Sequence, residues 1–225
     1  MNTPTTCSQG SRSGYLISSM SRSSGKTVIS IGLAAAVRGE GFAVQCFKKG
    51  PDYIDPLWLG RASQRSCFNL DPIIQSPEEL QNAFRQNLSD ASLVLVEGSQ
   101  GLHDGLKQDW SDSNAYLSRQ LNLPVMLVID AVGMNRTVAA LINGLVEFDE
   151  DVKFAGVILN RINSGRHEQK LRQAIEGHTS LSVVGAVPNC SSLHIEERQL
   201  GLVPAPAHGA VDLKIEKIAR QLRVL

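Results

Sequence analysis

Two acids three residues apart, Asp52 and Asp55, stand in Lys-Lys-Gly-Pro-Asp-Tyr-Ile-Asp-Pro at 48–56, just after the apolar stretch Phe42–Phe47. Pro51 and Pro56 stiffen the segment, and proline belongs inside neither a helix nor a central strand. Carboxylates on a stiff loop after a strand can hold a hard cation through oxygen. A third acid, Glu97, ends the apolar run Val94-Leu95-Val96. A carboxylate buried there needs a partner. Upstream, Ser24-Gly25-Lys26-Thr27 is the second half of a phosphate-binding loop. In such a loop the Lys26 ammonium reaches the β- and γ-phosphates, the Thr27 hydroxyl ligates Mg²⁺, and the helix N-terminus adds its dipole. These residues predict a nucleotide, a metal ion and a third ligand meeting at one edge of a sheet. The metal ligands expected are Thr27, Asp55 and Glu97. The plainer reading is that the acids cap helices or pair with Lys48 and Lys49.

The full loop pattern has glycine five residues before Gly25, where Met20 stands, and no residue from Ser18 to Ser24 is glycine. Serine tolerates positive φ poorly, so a reshaped loop or a weaker hold on nucleotide is expected. Arg22 is placed to offset this by touching a phosphate directly. After Glu97 comes Gly-Ser-Gln-Gly-Leu-His-Asp-Gly at 98–105, whose glycines let backbone amides approach a ligand. His103 has no second histidine near it and reads as a packing or surface residue. Asn160-Arg161 follows another apolar run. Asparagine offers both donor and acceptor to a base edge, and it is equally a common turn residue.

The elements that must position these groups alternate. Tyr15–Ser18 and Phe42–Phe47 read as strands, with a helix from about Gly25 to Val37 between them. Residues 57–70 read as irregular or short-helical. Ser76-Pro77-Glu78-Glu79 carries the N-cap, first-turn proline and capping-box acid of a helix running to about Asn87. Leu93–Val96, Pro124–Ile129, Ala155–Leu159 and Val183–Val187 are near-continuous apolar runs, as in strands covered on both faces. Helical patterns fall at about 112–121, 135–147, 165–176 and 211–223. The fold class expected is α/β, a mostly parallel sheet flanked by helices with right-handed crossovers, of the P-loop NTPase type. The chemistry-bearing residues all follow strands, where open α/β sheets bind ligands.

A chain of 225 residues is most simply one such domain, spanning 14–225 after a loose Ser/Thr-rich tail at 1–13. Its 42% hydrophobic and 20% charged content is that of an ordinary soluble protein. With 22 basic and 22 acidic residues there is no excess positive charge to meet nucleic acid. No apolar run has membrane-spanning length and none resembles a signal peptide, so a cytoplasmic protein is expected. Cys7, Cys46, Cys67 and Cys190 are scattered without metal-site spacing, as thiols of a reducing compartment are.

The chain resembles the amino-terminal synthetase domain of the cobyrinic acid a,c-diamide synthases, within a wider P-loop group that includes dethiobiotin synthetase. The resemblance runs from Tyr15 to the C-terminus. It rests on 48–56, Asn69-Leu70-Asp71, Val96–Gly105, Val128–Met134, Gly156–Arg161 and Glu197–Ala205. It implies an ATP-dependent carboxylate–amine ligase. ATP and Mg²⁺ phosphorylate a tetrapyrrole carboxylate, and ammonia displaces the phosphate. Lys26, Asp52, Asp55 and Glu97 would serve the chemical step. Arg22, Ser24, Gly25, Lys26 and Thr27 would hold phosphate, and Asn160, Arg161 and Pro188 the adenosine part. Tyr53, Asp104, Ser113 and Asn114 would face the substrate, with Asn114 standing where the family commonly has Thr. Ammonia would come from a glutaminase domain, or another source, that these residues do not contain. The family also allows a homodimer. Alternatives are amidation of hydrogenobyrinate, nickel-sirohydrochlorin or sirohaem, and a nucleotide-binding module without catalysis. A MinD-like ATPase fits less well, because the last helix lacks a basic membrane-targeting face.

Overall fold

In a computed structural model, described for residues 13–88, 90–193, 195, 197–198, 201–202 and 208–222, strands and helices alternate. The order is β1 (Ser13–Ser19), α1 (Lys26–Gly39), β2 (Val44–Lys49), α2 (Asp55–Ser63), β3 (Phe68–Leu70), α3 (Pro77–Gln86) and β4 (Leu93–Glu97). It continues with α4 (Asn114–Leu121), β5 (Val125–Asp130), α5 (Thr137–Glu147), β6 (Phe154–Ile162), α6 (Gly165–His178), β7 (Val183–Pro188) and α7 (His208–Leu222). β1 to β7 form one sheet in the order β3-β2-β4-β1-β5-β6-β7, and every pairing in it is parallel. A parallel sheet needs crossovers and cover on both faces. Here α1, α2 and α7 pack on one face against Ile17, Val44, Cys46 and Leu95. On the other face α3 and α4 pack against Leu16, Phe47 and Val96, and α5 and α6 against Leu127, Ile129 and Leu159. The result is an α/β fold of the P-loop NTPase type, with β1 in the middle of the sheet and the loop Met20–Gly25 at its carboxyl end.

Local chemistry explains most boundaries. The Ser76 hydroxyl accepts from Glu79 N while Glu79 returns a bond to Ser76 N, the capping box read from the sequence. Ser164 and Ser113 cap α6 and α4 through their hydroxyls alone, which accept from His167 N and Tyr116 N.

Three expectations change. The second strand begins at Val44 rather than Phe42, which is 55% exposed, and it extends through Lys49. Lys48 and Lys49 therefore belong to the sheet rather than to the loop after it. Residues 57–70 are short-helical through Ser63, as expected, and what changes there is the edge strand β3. Pro56 sits in the first turn of α2, where its missing N–H removes no helical bond. Asn160 and Arg161 do not follow their strand but lie inside its end. The register of β6 against β7 shifts between Leu159 and Ile162, and Arg161 takes a left-handed φ of 60° there. The tail at 1–12 and the Pro-rich 203–206 lie outside the described residues, and Ser13 already belongs to β1.

Candidate active site

The β1–α1 loop closes around its own lysine. Lys26 Nζ donates to Ser19 Oγ at 2.9 Å, to the Ser21 carbonyl at 3.2 Å and to the Gln100 carbonyl at 2.7 Å. Ser19 and Ser24 hydroxyls both donate to the Ser21 carbonyl, at 2.6 and 3.0 Å. Gly25 has φ +90°, and a Cβ there would lie 2.1 Å from Asn160 Nδ2, so only glycine fits. Met20, where the usual pattern has glycine, does not take a positive φ; Ser23 is the non-glycine loop residue that does, at +54°. That conformation is held from outside: Arg161 donates to the Ser23 carbonyl, and Asn160 Nδ2 donates to the Ser24 carbonyl at 2.9 Å. Asn160, expected at a base edge, is thus spent through its amide nitrogen on the loop. Arg161 is fixed between the loop and Asp130, 3.0 Å away. Arg22 is exposed on the outer side of the loop and Pro188 on the carboxyl end of β7.

Beside the loop the three expected metal ligands converge. The Thr27 hydroxyl donates to Glu97 Oε1 at 2.5 Å and lies 3.4 Å from Asp55 Oδ2. Asp55 is not on a free loop but in the first turn of α2, and Asp52 sets its place by accepting from the Ile54 and Asp55 amides at 2.9 and 3.0 Å. Between the two acids sits Lys48, the pairing partner that the plainer reading of the sequence names. Lys48 Nζ is 2.6 Å from Asp55 and 2.8 Å from Glu97. The signal was present as cross-strand register, since Lys48 of β2 stands directly beside Glu97 of β4. Burial alone would lower the Lys48 pKa, but the charges and hydrogen bonds of Glu97 and Asp55 outweigh it and hold it above its ordinary value. Burial, then the nearby Glu97 charge, pushes the Asp55 carboxyl up to about 6. Glu97 Oε2 is buried without a hydrogen-bond partner. An orphaned carboxylate oxygen beside a second acid and a hydroxyl fits a hard cation such as Mg²⁺, which binds through one or two carboxylates and completes its shell with water and phosphate.

The other expected residues divide. Tyr53 is 75% exposed, and Asp104 is exposed with Oδ2 accepting from Gly101 N at 2.9 Å. Ser113 and Asn114, expected to face substrate, are buried instead. Ser113 caps α4 through Tyr116 N. The Asn114 amide donates to Ser18 Oγ, Ser99 O and Gly101 O, and its oxygen accepts from Ser99 N. Asn114 is fully buried with both ends of its amide engaged, so it positions the 98–101 turn that supplies Lys26 with the Gln100 carbonyl. Gly98 admits this, because a Cβ there would meet Asn114 Oδ1 at 2.6 Å. His103 packs on Phe148 with ring centroids 4.8 Å apart, as a packing residue should.

Burial lowers the Lys26 pKa to about 8, with the charges of Glu97, Lys48, Asp55 and Asp104 as smaller contributions of both signs. A phosphate against the ammonium favours the protonated form, so nucleotide binding raises this pKa and takes up a proton. The affinity of Mg·ATP is therefore expected to be flat below about pH 8. Above it, affinity should fall by up to roughly tenfold per pH unit until the bound-state pKa is reached. Titration calorimetry from pH 7 to 9.5 in buffers of different ionisation heat checks both the fall and the proton uptake. Affinity that rises over this range would exclude the lysine as the phosphate ligand.

A family described as the CobQ/CobB/MinD/ParA nucleotide binding domain matches residues 15–202. Among curated proteins, the cobyrinate a,c-diamide synthase of Magnetococcus marinus is 40% identical over 92% of this chain and 44% of its own length. The hydrogenobyrinate a,c-diamide synthase of Brucella anthropi is 42% identical over 92% of this chain and 47% of its own length. The chain thus spans about half the length of the curated relatives it matches. Among solved structures, chloroplast FtsY from Physcomitrella patens superimposes with TM-score 0.57 and 20% identity over 91% of this chain and 65% of that one. A MinC:MinD cell division protein complex from Aquifex aeolicus gives TM-score 0.53 and 13% identity over 79% of this chain and 83% of the matched chain. At such identities the two structures speak for the fold alone. Among the described residues no helix is long and apolar enough to cross a membrane.

Proposed function

Because the chain belongs to the CobQ/CobB/MinD/ParA nucleotide-binding domain family, we propose that it uses Mg·ATP to activate side-chain carboxylates of a tetrapyrrole acid for amidation, as a cobyrinate or hydrogenobyrinate a,c-diamide synthase does. The observation that carries this reading is the convergence of Thr27, Asp55 and the half-unpartnered Glu97 beside the lysine of a phosphate loop. A carboxylate is a poor electrophile. Transfer of the γ-phosphoryl group to a carboxylate oxygen releases ADP and gives an acyl phosphate. Ammonia then attacks the acyl carbon and inorganic phosphate leaves with the C–O electron pair. Such transfer needs positioning and charge neutralisation more than covalent help from the protein.

In this reading Lys26 gives up its loop carbonyls for the β- and γ-phosphate oxygens. Asn160 and Arg161 hold the loop in the shape that receives them. Thr27, Asp55 and Glu97 would hold Mg²⁺, which supplies a positive charge to the transferring group. Lys48 holds the two acids together before that charge arrives. Asp52 fixes the first turn of α2 and so the direction of Asp55. Tyr53 and Asp104 stand on the substrate side.

The domain reading places all of this within 14–225 and the ammonia source elsewhere. The thiols support that division. Burial pushes Cys46 up to about 12 and raises Cys67 as well, so neither is a nucleophile at neutral pH. Cys190 contacts the Ser192 hydroxyl at 3.0 Å, not a histidine. Cys7 lies outside the described residues. With ATP, Mg²⁺ and cobyrinate or hydrogenobyrinate, the chain is expected to form amide from ammonium and none from glutamine, read by product mass. Amide from glutamine with this chain alone would overturn the division. ATP bound but no amide from either nitrogen source would favour a nucleotide-binding module without catalysis.

A further inference from the structure

Two residues that are not glycine take a left-handed φ and meet at the phosphate loop: Ser23 at +54° and Arg161 at +60°. Such conformations cost energy and persist only where their surroundings hold them. For Ser23 the holder is Arg161, whose Nη2 donates to the Ser23 carbonyl. For Arg161 the holder is Asp130, whose Oδ2 accepts from Nη1 at 3.0 Å. Asp130 is itself fixed. It is the last residue of β5, stands directly beside Asn160 of β6, and its Oδ1 accepts from Val132 N at 3.2 Å. A line of contacts therefore runs from the end of a central strand through Asp130 and Arg161 to Ser23.

What the loop gains is the direction of its amides. The φ angles of Ser23 and Gly25 are positive, and Ser24 between them keeps a negative one. Alternation of that kind turns successive N–H groups to one side and makes a concavity for an anion. Both left-handed positions are set from the end of β6. Asn160 lies against Gly25 and donates to the Ser24 carbonyl at 2.9 Å, and Asn160 is buried, so packing fixes it. Arg161 is half-buried and long, and its direction depends on a partner. A guanidinium is planar, with its outer nitrogens at fixed angles, so binding one of them to Asp130 aims the other at Ser23. The Asp130 and Arg161 side chains are 31% and 29% exposed, and an ion pair so open to water contributes little to stability. The resemblance puts Arg161 at the adenosine, yet both of its terminal nitrogens are engaged within the protein.

We propose that Asp130 is a positioning residue for nucleotide binding: through Arg161 it holds Ser23 left-handed and so presets the loop amides that receive the phosphates. The proposal rests on the Mg·ATP reading for its ligand and on contacts within this chain for the rest.

The test compares the parent with Asp130→Asn, Arg161→Met and the double variant. Three quantities are read: calorimetric affinity for Mg·ATP, melting temperature, and the rate at which trypsin cuts after Arg22, which is exposed on the loop. Asparagine in place of Asp130 keeps an acceptor for Val132 N and turns an amide donor toward Arg161. Each single variant is expected to bind Mg·ATP about tenfold more weakly, the cost of a loop that must be ordered on binding. Cutting after Arg22 should be faster in both. Melting temperature should stay within about 4 °C of the parent's. The double variant should bind no more weakly than Arg161→Met, because the two residues act in series. If the parent binds Mg·ATP and Asp130→Asn binds it within about twofold as well, the proposal is overturned and the nucleotide reading stands. Additive losses in the double variant would put Arg161 on the nucleotide itself and also overturn it. A fall of about 10 °C in Asp130→Asn would make the pair structural and overturn it as well. A folded parent that binds no Mg·ATP overturns the nucleotide reading, and this role with it.

Discussion

Lys26→Met is expected to abolish ATP-dependent turnover, by about a thousandfold or more, while melting temperature holds or rises. The two halves of this result have one cause. Lys26 is 7% exposed, and burial pulls its pKa down to about 8, so the fold bears a cost in keeping the ammonium charged near neutral pH. Of its three acceptors, Ser19 Oγ stands at the end of β1, and Ser21 O and Gln100 O sit on loops. Without a ligand they take the place of phosphate oxygens. Methionine keeps the length of the side chain and removes the charge, which relieves the burial and leaves nothing to meet the γ-phosphoryl group. A gain or neutrality in stability beside a loss of function marks a residue kept for chemistry. Phosphate release with the acid substrate present, together with a thermal melt, measures both. Turnover within tenfold of the parent would remove Lys26 from the phosphate site, and a fall of several degrees would make it a structural residue.

The sheet and its class were legible because the strands are apolar on both faces and the helices between them carry caps. Leu93–Val96 is continuous because residues on both sides of β4 pack, Leu95 toward α1 and Val96 toward α4. Boundaries at polar strand ends were not legible. Lys48 and Lys49 read as loop because charged residues seldom continue a central strand. Here the ladder carries them, with Lys48 beside Glu97 on one side and Asn69 on the other, and ion pairs take the charge of Lys48. The same reasoning hid β3, three residues long, whose Phe68 and Asn69 are exposed.

At the site, residue types pointed correctly to a meeting place but not to each group's part in it. Thr27, Asp55 and Glu97 come together from three separate elements, as the spacing of acids after strands predicts. Asn160 reads as a base contact or a turn residue because asparagine can donate and accept, and Asn114 as a substrate contact only through the family resemblance. Whether asparagine does so to a ligand or to a neighbouring loop depends on burial, which one sequence does not print. Asn114 holds the 98–101 turn, and the amide nitrogen of Asn160 holds the phosphate loop. The missing loop glycine was legible as an anomaly. How the loop is held, with Ser23 in a left-handed conformation clamped by Arg161, required a contact between residues far apart in the chain.

Glu97→Gln is expected to lower turnover by about a hundredfold, the cost of losing one electrostatic stabiliser. It should also lower stability by about 3 kcal/mol, a drop of roughly 6–12 °C in a chain of this size. The second effect was not visible from sequence, where Glu97 reads as serving chemistry only. It follows from burial: Glu97 is 1% exposed and pairs with Lys48, itself 4% exposed, so neutralising the acid leaves a buried ammonium with Asp55 alone. A buried pair contributes little net stability, but half of one is costly. Lys48→Met together with Glu97→Gln should therefore recover most of the lost stability, and the two changes should be strongly non-additive because the residues touch. Turnover should not recover, since the double variant restores packing and not the carboxylate. Melting temperatures of the parent, both single variants and the double variant complete the cycle, and turnover is read on the same four proteins. A double variant as unstable as Glu97→Gln would show that the loss comes from something other than the orphaned lysine. Turnover that returns with stability would show that Glu97 serves the fold and not the reaction.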